Sequence, residues 1–371
     1  MQHVTRDLNV FTSARGLCCF ALALFLLPTT TLNVAAQDGS STASFAASAS
    51  PGSGKFPVPR DYLGALKAAQ GGESADVDGT RVFGGTMAEE GDFPWQVALL
   101  DPNDFIDGDP ETRFEGQFCG GSIIARQWIL TAAHCVVTDA GETFAPQDLL
   151  ILTGATDLRT GGEMREVGEI IVHENYRAVP VENDIALLKL AEPIQQSAGP
   201  VGAISLAETS AAVTAPSATV IGWGKMENGK WPFELLQTSV DVISNEQCNA
   251  NMGEQFKNEM ADVILDLGTT NRVPMEVMEE AYARLADNIG DSVLPSMLCA
   301  GTATGERTSC SGDSGGPLMV RQDNGSFLQV GIVSWGRIPL QADGACGHEN
   351  LYSVYTHVGS YFDWIASHVR G

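Results

Sequence analysis

The sequence predicts an all-β protein, interrupted by one helical segment and closed by a short C-terminal helix. Two observations carry this. From Val82 onward, short runs of alternating apolar residues are separated by turn residues: "WQVALL", "SIIARQWILTAA", "DLLILTG", "EIIVHENY", "DIALLKL", "ATVIGWG" and "FLQVGIVSWG". Many short strands with Gly, Asn and Asp between them form a sandwich or a barrel. "RQDNGSF" (Arg321–Phe327) sets an Asn-Gly hairpin signal between two such runs. Asn324–Ser326 also matches a glycosylation sequon, but the hairpin turn accounts for the residues.

In chain order, the N-terminus reads as a secretory leader over residues 1–36. Arg6 and Arg15 precede the apolar run "GLCCFALALFLLP" (Gly16–Pro28), and Val34–Ala36 offers small residues for cleavage before Gln37. The run is too short to span a bilayer comfortably. Residues 37–81 are rich in Ala, Ser and Gly and cannot bury enough apolar surface to fold alone, so they read as a pro-segment or linker. One folded unit is expected over residues 82–371. Within it, residues 249–298 break the β texture. In "VPMEVMEEAYARLADNIG", Met278, Ala281, Tyr282, Leu285 and Ile289 recur at helical steps, and Pro274 suits a first turn. This segment reads as a packed surface subdomain. "SYFDWIASHVRG" reads as a terminal helix with one apolar face.

The chain has 371 residues, is 44% hydrophobic and carries a net charge of −25. Residues 1–81 hold 6 basic and 6 acidic residues, so the excess lies wholly in residues 82–371, with 15 basic and 40 acidic. That distribution argues against nucleic acid or an anionic membrane as partner and favours solubility. The acidic run Asp101–Gln117 does not match a calcium-loop register and reads as a solvated loop. Of 8 cysteines, Cys18 and Cys19 lie in the leader. Cys119, Cys135, Cys248, Cys299, Cys310 and Cys346 remain, an even number that in an exported chain favours three disulfides, whose pairing the sequence alone does not choose.

The chemistry centres on "TSCSGDSGGPL" (Thr308–Leu318), a small polar turn with Gly312, Gly315 and Gly316 around Ser314. A serine hydroxyl becomes a nucleophile only when a base takes its proton and a site holds the anion it creates. His134 in "WILTAAHC" stands at the end of an apolar run beside Cys135, where a disulfide would fix the backbone of a base. His173, His348, His357 and His368 lack such a setting and read as surface or structural residues. An acid must orient the imidazole through its second nitrogen. Asp184, at the head of the apolar strand in "ENDIALLKL", fits that need, although alone it fits a strand-start turn equally well.

His134, Asp184 and Ser314, with "CGGSII", "VIGWGK", "MLCAG", "CSGDSGGPL" and "GIVSWG" in that order, resemble the chymotrypsin/trypsin family of serine endopeptidases over about residues 82–371, inserts excepted. The resemblance implies two six-stranded antiparallel β-barrels, about residues 82–200 and 201–371, with the helical insert at 249–298. It implies Ser314 as nucleophile, His134 as base, Asp184 as orienting acid, and an oxyanion hole from the backbone N–H groups of Gly312 and Ser314. Ser334, Trp335 and Gly336 would pair with a substrate backbone as an added strand. The implied disulfides are Cys119–Cys135, Cys248–Cys299 and Cys310–Cys346. No metal or cofactor is implied, since the family's calcium-loop spacing is missing here. Protein or peptide substrates and a secreted monomer are expected.

The resemblance also implies a zymogen. In "GTRVFGG" (Gly79–Gly85), cleavage after Arg81 would free the amine of Val82 to pair with Asp313, although Val82 and Phe83 depart from the usual Ile-Val. Thr308 falls at the base of the primary specificity pocket, with Gly336 and Ser353 on its walls. A neutral base offers no partner to a buried Lys or Arg, so Leu, Met, Phe or Tyr is expected before the scissile bond. The chain would then need a separate trypsin-like protease for its activation. Two alternatives stay open: a basic preference if Glu349 or Asp343 reaches the pocket, and a family member that has lost activity and acts as a binding module.

Overall fold

The computed structural model describes residues 84–106, 109–195, 201–211, 213–340, 342 and 346–369. The leader, the pro-segment and the Arg81–Val82 bond lie outside the described residues, as does Asp343. Twelve strands form two closed barrels. The first uses β1 (Gln96–Leu100), β2 (Gln117–Ala125), β3 (Trp128–Thr131), β4 (Leu150–Thr153), β5 (Glu163–Val172) and β6 (Ala186–Leu190), in the cyclic order β1-β2-β3-β6-β5-β4. The second uses β7 (Ser217–Gly222), β8 (Leu236–Ile243), β9 (Met297–Gly301), β10 (Pro317–Arg321), β11 (Phe327–Gly336) and β12 (Ser353–His357). Its path β8-β7-β10-β11-β12-β9 closes where β9 pairs back to β8. All these pairings are antiparallel. Closure removes the free edges that would otherwise leave backbone N–H and C=O groups unpaired.

The barrels close because the strands carry apolar residues to one side. In β8, Leu236, Thr238 and Val240 are buried while Ser239 and Asp241 are exposed, the period of two that a pleated strand imposes. The first barrel's core is Leu99, Ile129, Leu130, Ile151, Leu187 and their neighbours, all fully buried. Truncating one of them, such as Leu130→Ala, removes packed volume and costs about 2–5 kcal/mol. The second barrel packs Val220, Val240, Leu318, Val333 and Tyr355. The Asn-Gly hairpin forms as read: Arg321 pairs with Phe327, and Gly325 takes φ +84° at the turn.

The insert is a helical hairpin. Ser244 caps α1 (Asn245–Thr270) by accepting from the Gln247 amide at 3.2 Å. α2 (Met275–Ala286) starts after Pro274. Cys248 ties the foot of α1 to Cys299 on β9. Asn249 holds the returning chain by a two-way bond with Val293, 2.9 Å to its carbonyl and 2.8 Å from its amide. Of the helically spaced positions Met278, Ala281, Tyr282, Leu285 and Ile289, only Met278 is buried. It lies over Gly268 of α1, where a Cβ would stand 1.8 Å from its sulfur. The hairpin is two helices deep, so the other positions have no layer to cover them. α3 (Phe362–Val369) ends the described chain and buries Ile365. No helix among the described residues is long and apolar enough to cross a membrane.

Candidate active site

The two barrels meet along a line of hydrogen bonds. The Gly120 amide of β2 donates to the Ser314 carbonyl at 2.7 Å, and Ser122 donates to Gln329 of β11 at 2.7 Å. Thr356 of β12 donates to the Asp184 carbonyl, also at 2.7 Å. Residues from the ends of β3, β6, β10 and β11 therefore converge in one place.

His134 sits in a one-turn 3-10 helix, Ala133–Cys135, just past β3. The Cys119–Cys135 disulfide ties that turn to β2. The His134 side chain is 11% exposed, and its Nδ1 stands 2.7 Å from Oδ2 of Asp184. The backbone N–H of His134 donates to the other carboxylate oxygen at 2.9 Å. An ionised carboxylate only accepts, so Nδ1 carries the proton and Nε2 keeps its lone pair. Asp184 is 2% exposed and is aimed by Asn183, which takes φ +53°, a conformation asparagine tolerates. The Asn183 side chain is itself fixed, donating to the Asn175 carbonyl at 2.8 Å and accepting from the Tyr361 hydroxyl at 3.0 Å.

A third donor reaches Asp184. Ser334 donates to Oδ2 at 2.5 Å. The register of β11 against β12 slips between Val333 and Trp335, so Ser334 is the extra residue of a bulge. A bulge re-aims the side chain it carries, here towards the acid. Burial alone would push the Asp184 carboxyl up. The attraction of the His134 ring when it is protonated, and the bonds from His134 and Ser334, outweigh burial and hold it below the usual carboxylate range.

Ser314 occupies the tight turn between Cys310 and β10 and is buried. The turn is fixed on both sides. The Gly315 amide donates to the Val333 carbonyl and the Val333 amide to the Gly316 carbonyl, each at 2.9 Å. Gly315 takes φ +79°, and a Cβ there would lie 2.2 Å from the Thr131 hydroxyl, 2.4 Å from the Gly120 carbonyl and 3.2 Å from the Cys135 sulfur. Only glycine fits that approach. That sulfur stands 3.8 Å from His134 Nε2. The serine turn and the histidine turn are therefore packed against each other. Gly312 takes φ +94°, and its carbonyl accepts from the fully buried Gln117 side chain at 2.9 Å.

Asp313, beside Ser314, points the other way. Its carboxylate accepts from the Gly224 amide at 2.8 Å and the Cys310 amide at 2.9 Å. Gly222 and Gly224 leave room for it: a Cβ on either would come within 2.4 Å of the carboxylate.

Thr308, Gly336 and Ser353 line one small cavity of about 20 Å³, together with Arg337, Ile338 and His348. Its Thr308 and Ser353 hydroxyls bond each other at 2.7 Å. The Cys310–Cys346 disulfide joins the Thr308 side to the opposite wall. Ser334 and Trp335 lead into the cavity along β11 without lining it. Glu349 is exposed and is not among the lining residues. His348, read from sequence as surface or structural, is on the lining instead. Among the described residues, the one His/Cys/Asp/Glu group within metal-ligand reach is Cys119, His134 and Cys135, and its two sulfurs are spent in a disulfide. In the acidic run, Asp101 accepts from the Asn103 amide at 2.8 Å and Asp109 caps the Pro110–Thr112 turn.

Sequence reasoning missed Gln117 and Arg337. Gln117 is a lone polar residue opening the strand "QFCGGSII", and Arg337 directly follows "GIVSWG". A polar residue within an apolar run is the one local signal either gave.

Comparison with known proteins points to one family. The trypsin family model matches residues 82–365. The serine proteinase stubble of Drosophila melanogaster is 32% identical over 297 residues, 78% of this chain and 31% of its own length. Vitamin K-dependent protein C of Oryctolagus cuniculus is 31% identical over 80% of this chain and 54% of its own. Transmembrane protease serine 11G of Mus musculus is 30% identical over 77% and 55%. The chain thus spans from about a third to about half the length of the curated relatives it matches. With the match running from one barrel through the other, the chain belongs to the trypsin family of serine proteases.

Proposed function

We propose that the protein is a secreted serine endopeptidase, made as a zymogen, that cuts protein or peptide substrates after an apolar residue. The observation that carries this is the fixed line Ser334–Asp184–His134 beside the glycine turn of Ser314. In the mechanism, His134 Nε2 takes the Ser314 hydroxyl proton as the oxygen attacks the scissile carbonyl. The positive charge that forms on the imidazole faces the ionised Asp184. The carbonyl oxygen becomes an anion that the Gly312 and Ser314 amides stabilise. His134 then gives its proton to the leaving amine, and an acyl-enzyme remains on Ser314. Water, deprotonated by His134, attacks the ester, and return of that proton to Ser314 restores the enzyme.

Specificity follows from the cavity. Thr308 and Ser353 satisfy one another and offer no negative charge. Arg337 on the wall is already paired with Glu259 of α1. A Lys or Arg side chain would be desolvated there without a partner, at a cost of several kcal/mol. Leu, Met, Phe or Tyr carries no charge and meets no such cost.

Activation rests on Asp313. A new amine at Val82 is the cation that its buried carboxylate is suited to receive. The leader and residues 37–81 are then removed in turn, the second cut after Arg81 by a protease with basic specificity.

The test is a fluorogenic peptide library varied at the residue before the scissile bond, applied to protein cleaved after Arg81. Turnover at Leu, Met, Phe or Tyr is expected, with Ser314→Ala lower by about 10⁴-fold or more. Turnover centred on Arg or Lys would overturn the pocket assignment, and none at all would overturn the proposal.

A further inference from the structure

The helical insert reaches the wall of the specificity cavity in two places: Met252 packs with Leu351 and Tyr352, and Glu259 meets Arg337. Glu259 lies in the middle of α1, and its Oε2 accepts from Arg337 Nη2 at 2.5 Å. Its other oxygen accepts from the Leu340 amide at 3.1 Å and from Gln255 at 3.0 Å. The Arg337 guanidinium also lies 5.3 Å from the centre of the Phe256 ring, one turn earlier on the same helix. Arg337 and Ile338 are the same residues that close the cavity opposite Thr308.

Burial by itself would push the Glu259 carboxyl up. The bonds from Gln255, Arg337 and the Leu340 amide, with the Arg337 charge, hold it low and ionised. The pair is only partly exposed, 26% at Arg337 and 11% at Glu259, so water screens it less than a surface pair.

We propose that Glu259 is a positioning residue for substrate selection. From the insert it clamps the 337–340 wall of the primary pocket and cancels the Arg337 charge facing that pocket. The insert is then part of the specificity apparatus, acting through one carboxylate. This rests on the reading of the cavity as the primary pocket.

The test compares cleaved wild type with Glu259→Ala, Glu259→Gln, Arg337→Ala and the charge swap Glu259→Arg/Arg337→Glu. Each is assayed on fluorogenic peptides carrying Leu, Phe or Glu before the scissile bond. For Glu259→Ala, KM on the Leu and Phe peptides should rise roughly tenfold, about 1.4 kcal/mol, with kcat within about twofold. Glu259→Gln keeps the volume and an acceptor for Leu340 but frees the Arg337 charge. It should raise turnover of the Glu peptide relative to the Leu peptide, an effect that fades with added salt. The charge swap should recover most of the lost KM. A purely structural role would lower active enzyme and leave KM unchanged. Should Glu259→Ala fail to fold, Glu259→Gln decides alone. Unchanged KM and unchanged peptide preference across the variants would overturn the proposal. So would a fall in kcat and kcat/KM together. Either result, with wild type active on apolar peptides, leaves the proposed function standing, whereas an inactive wild type defeats that function itself.

Discussion

Asp184 accepts three hydrogen bonds from two residues, so its contribution is separable from its neighbours'. Asp184→Asn keeps the shape but lets the amide donate to Nδ1, which would move the His134 proton to Nε2, where the base is needed. We expect kcat to fall about 10⁴-fold with little change in fold, read by peptide turnover and circular dichroism. Ser334→Ala removes one charge-assisted bond and should cost about tenfold in kcat. Because the folded carboxyl titrates below its unfolded value, Asp184 adds stability that is present above the ordinary carboxylate range and lost as pH falls through it. His357 adds an effect nearer neutrality. It is buried, burial lowers its pKa, and its Nε2 has no partner among the described residues. The unfolded chain therefore binds this proton first as pH drops, and stability is lost below the ordinary imidazole value. Melting temperature should fall between pH 7 and 5, and His357→Phe should flatten that slope. A slope identical in the variant would contradict the assignment. His134, Asp184 and Ser314 stood out in the sequence because each sits in a short motif. Ser334 was legible as a strand residue beside the substrate, not as a partner of Asp184. Its hydroxyl reaches Asp184 through a bulge in register, and register is decided by pairing with β12.

At the scale of elements, two glycines show where space rather than chemistry decides. Gly315→Ala must push aside the Thr131 hydroxyl and the Gly120 carbonyl. It should abolish turnover while leaving much of the barrels intact, a split visible when activity and near-UV dichroism are compared. Gly268→Ala meets the Met278 sulfur and should splay α1 from α2. Overpacking of that kind costs about 1–3 kcal/mol, so hydrogen exchange should quicken in residues 260–286. Turnover should be unaffected unless the splay reaches Glu259. The strands were readable from their alternation and the hairpin from Asn-Gly. The terminal helix α3 was readable from its apolar face. The insert was readable as helical, but its outward face was not. Spacing such as Met278–Leu285 identifies a helix face without saying whether a second layer exists to bury it.

At the scale of the whole molecule, the proposed site is held by two barrels, with His134 and Asp184 on the first and Ser314 and Ser334 on the second. The contacts across the seam pair residues far apart in the chain, such as Ser122 with Gln329. No local pattern encodes them, which is why Gln117 and Arg337 emerged only from the fold. The proposed activation is also a property of the whole chain. Full-length Arg81→Ala protein, with no free amine at Val82, should stay at least about a hundredfold less active than the cleaved form. Equal activity would contradict the zymogen. If Ser314 is a nucleophile made reactive by His134, a covalent label will find it. Protein cleaved after Arg81 would be treated with a fluorophosphonate and its intact mass and labelled peptide measured. One adduct per chain is expected, on Ser314, with almost none in His134→Ala or in the full-length form. No adduct on the cleaved wild type, or one that forms as fast without His134, would contradict it.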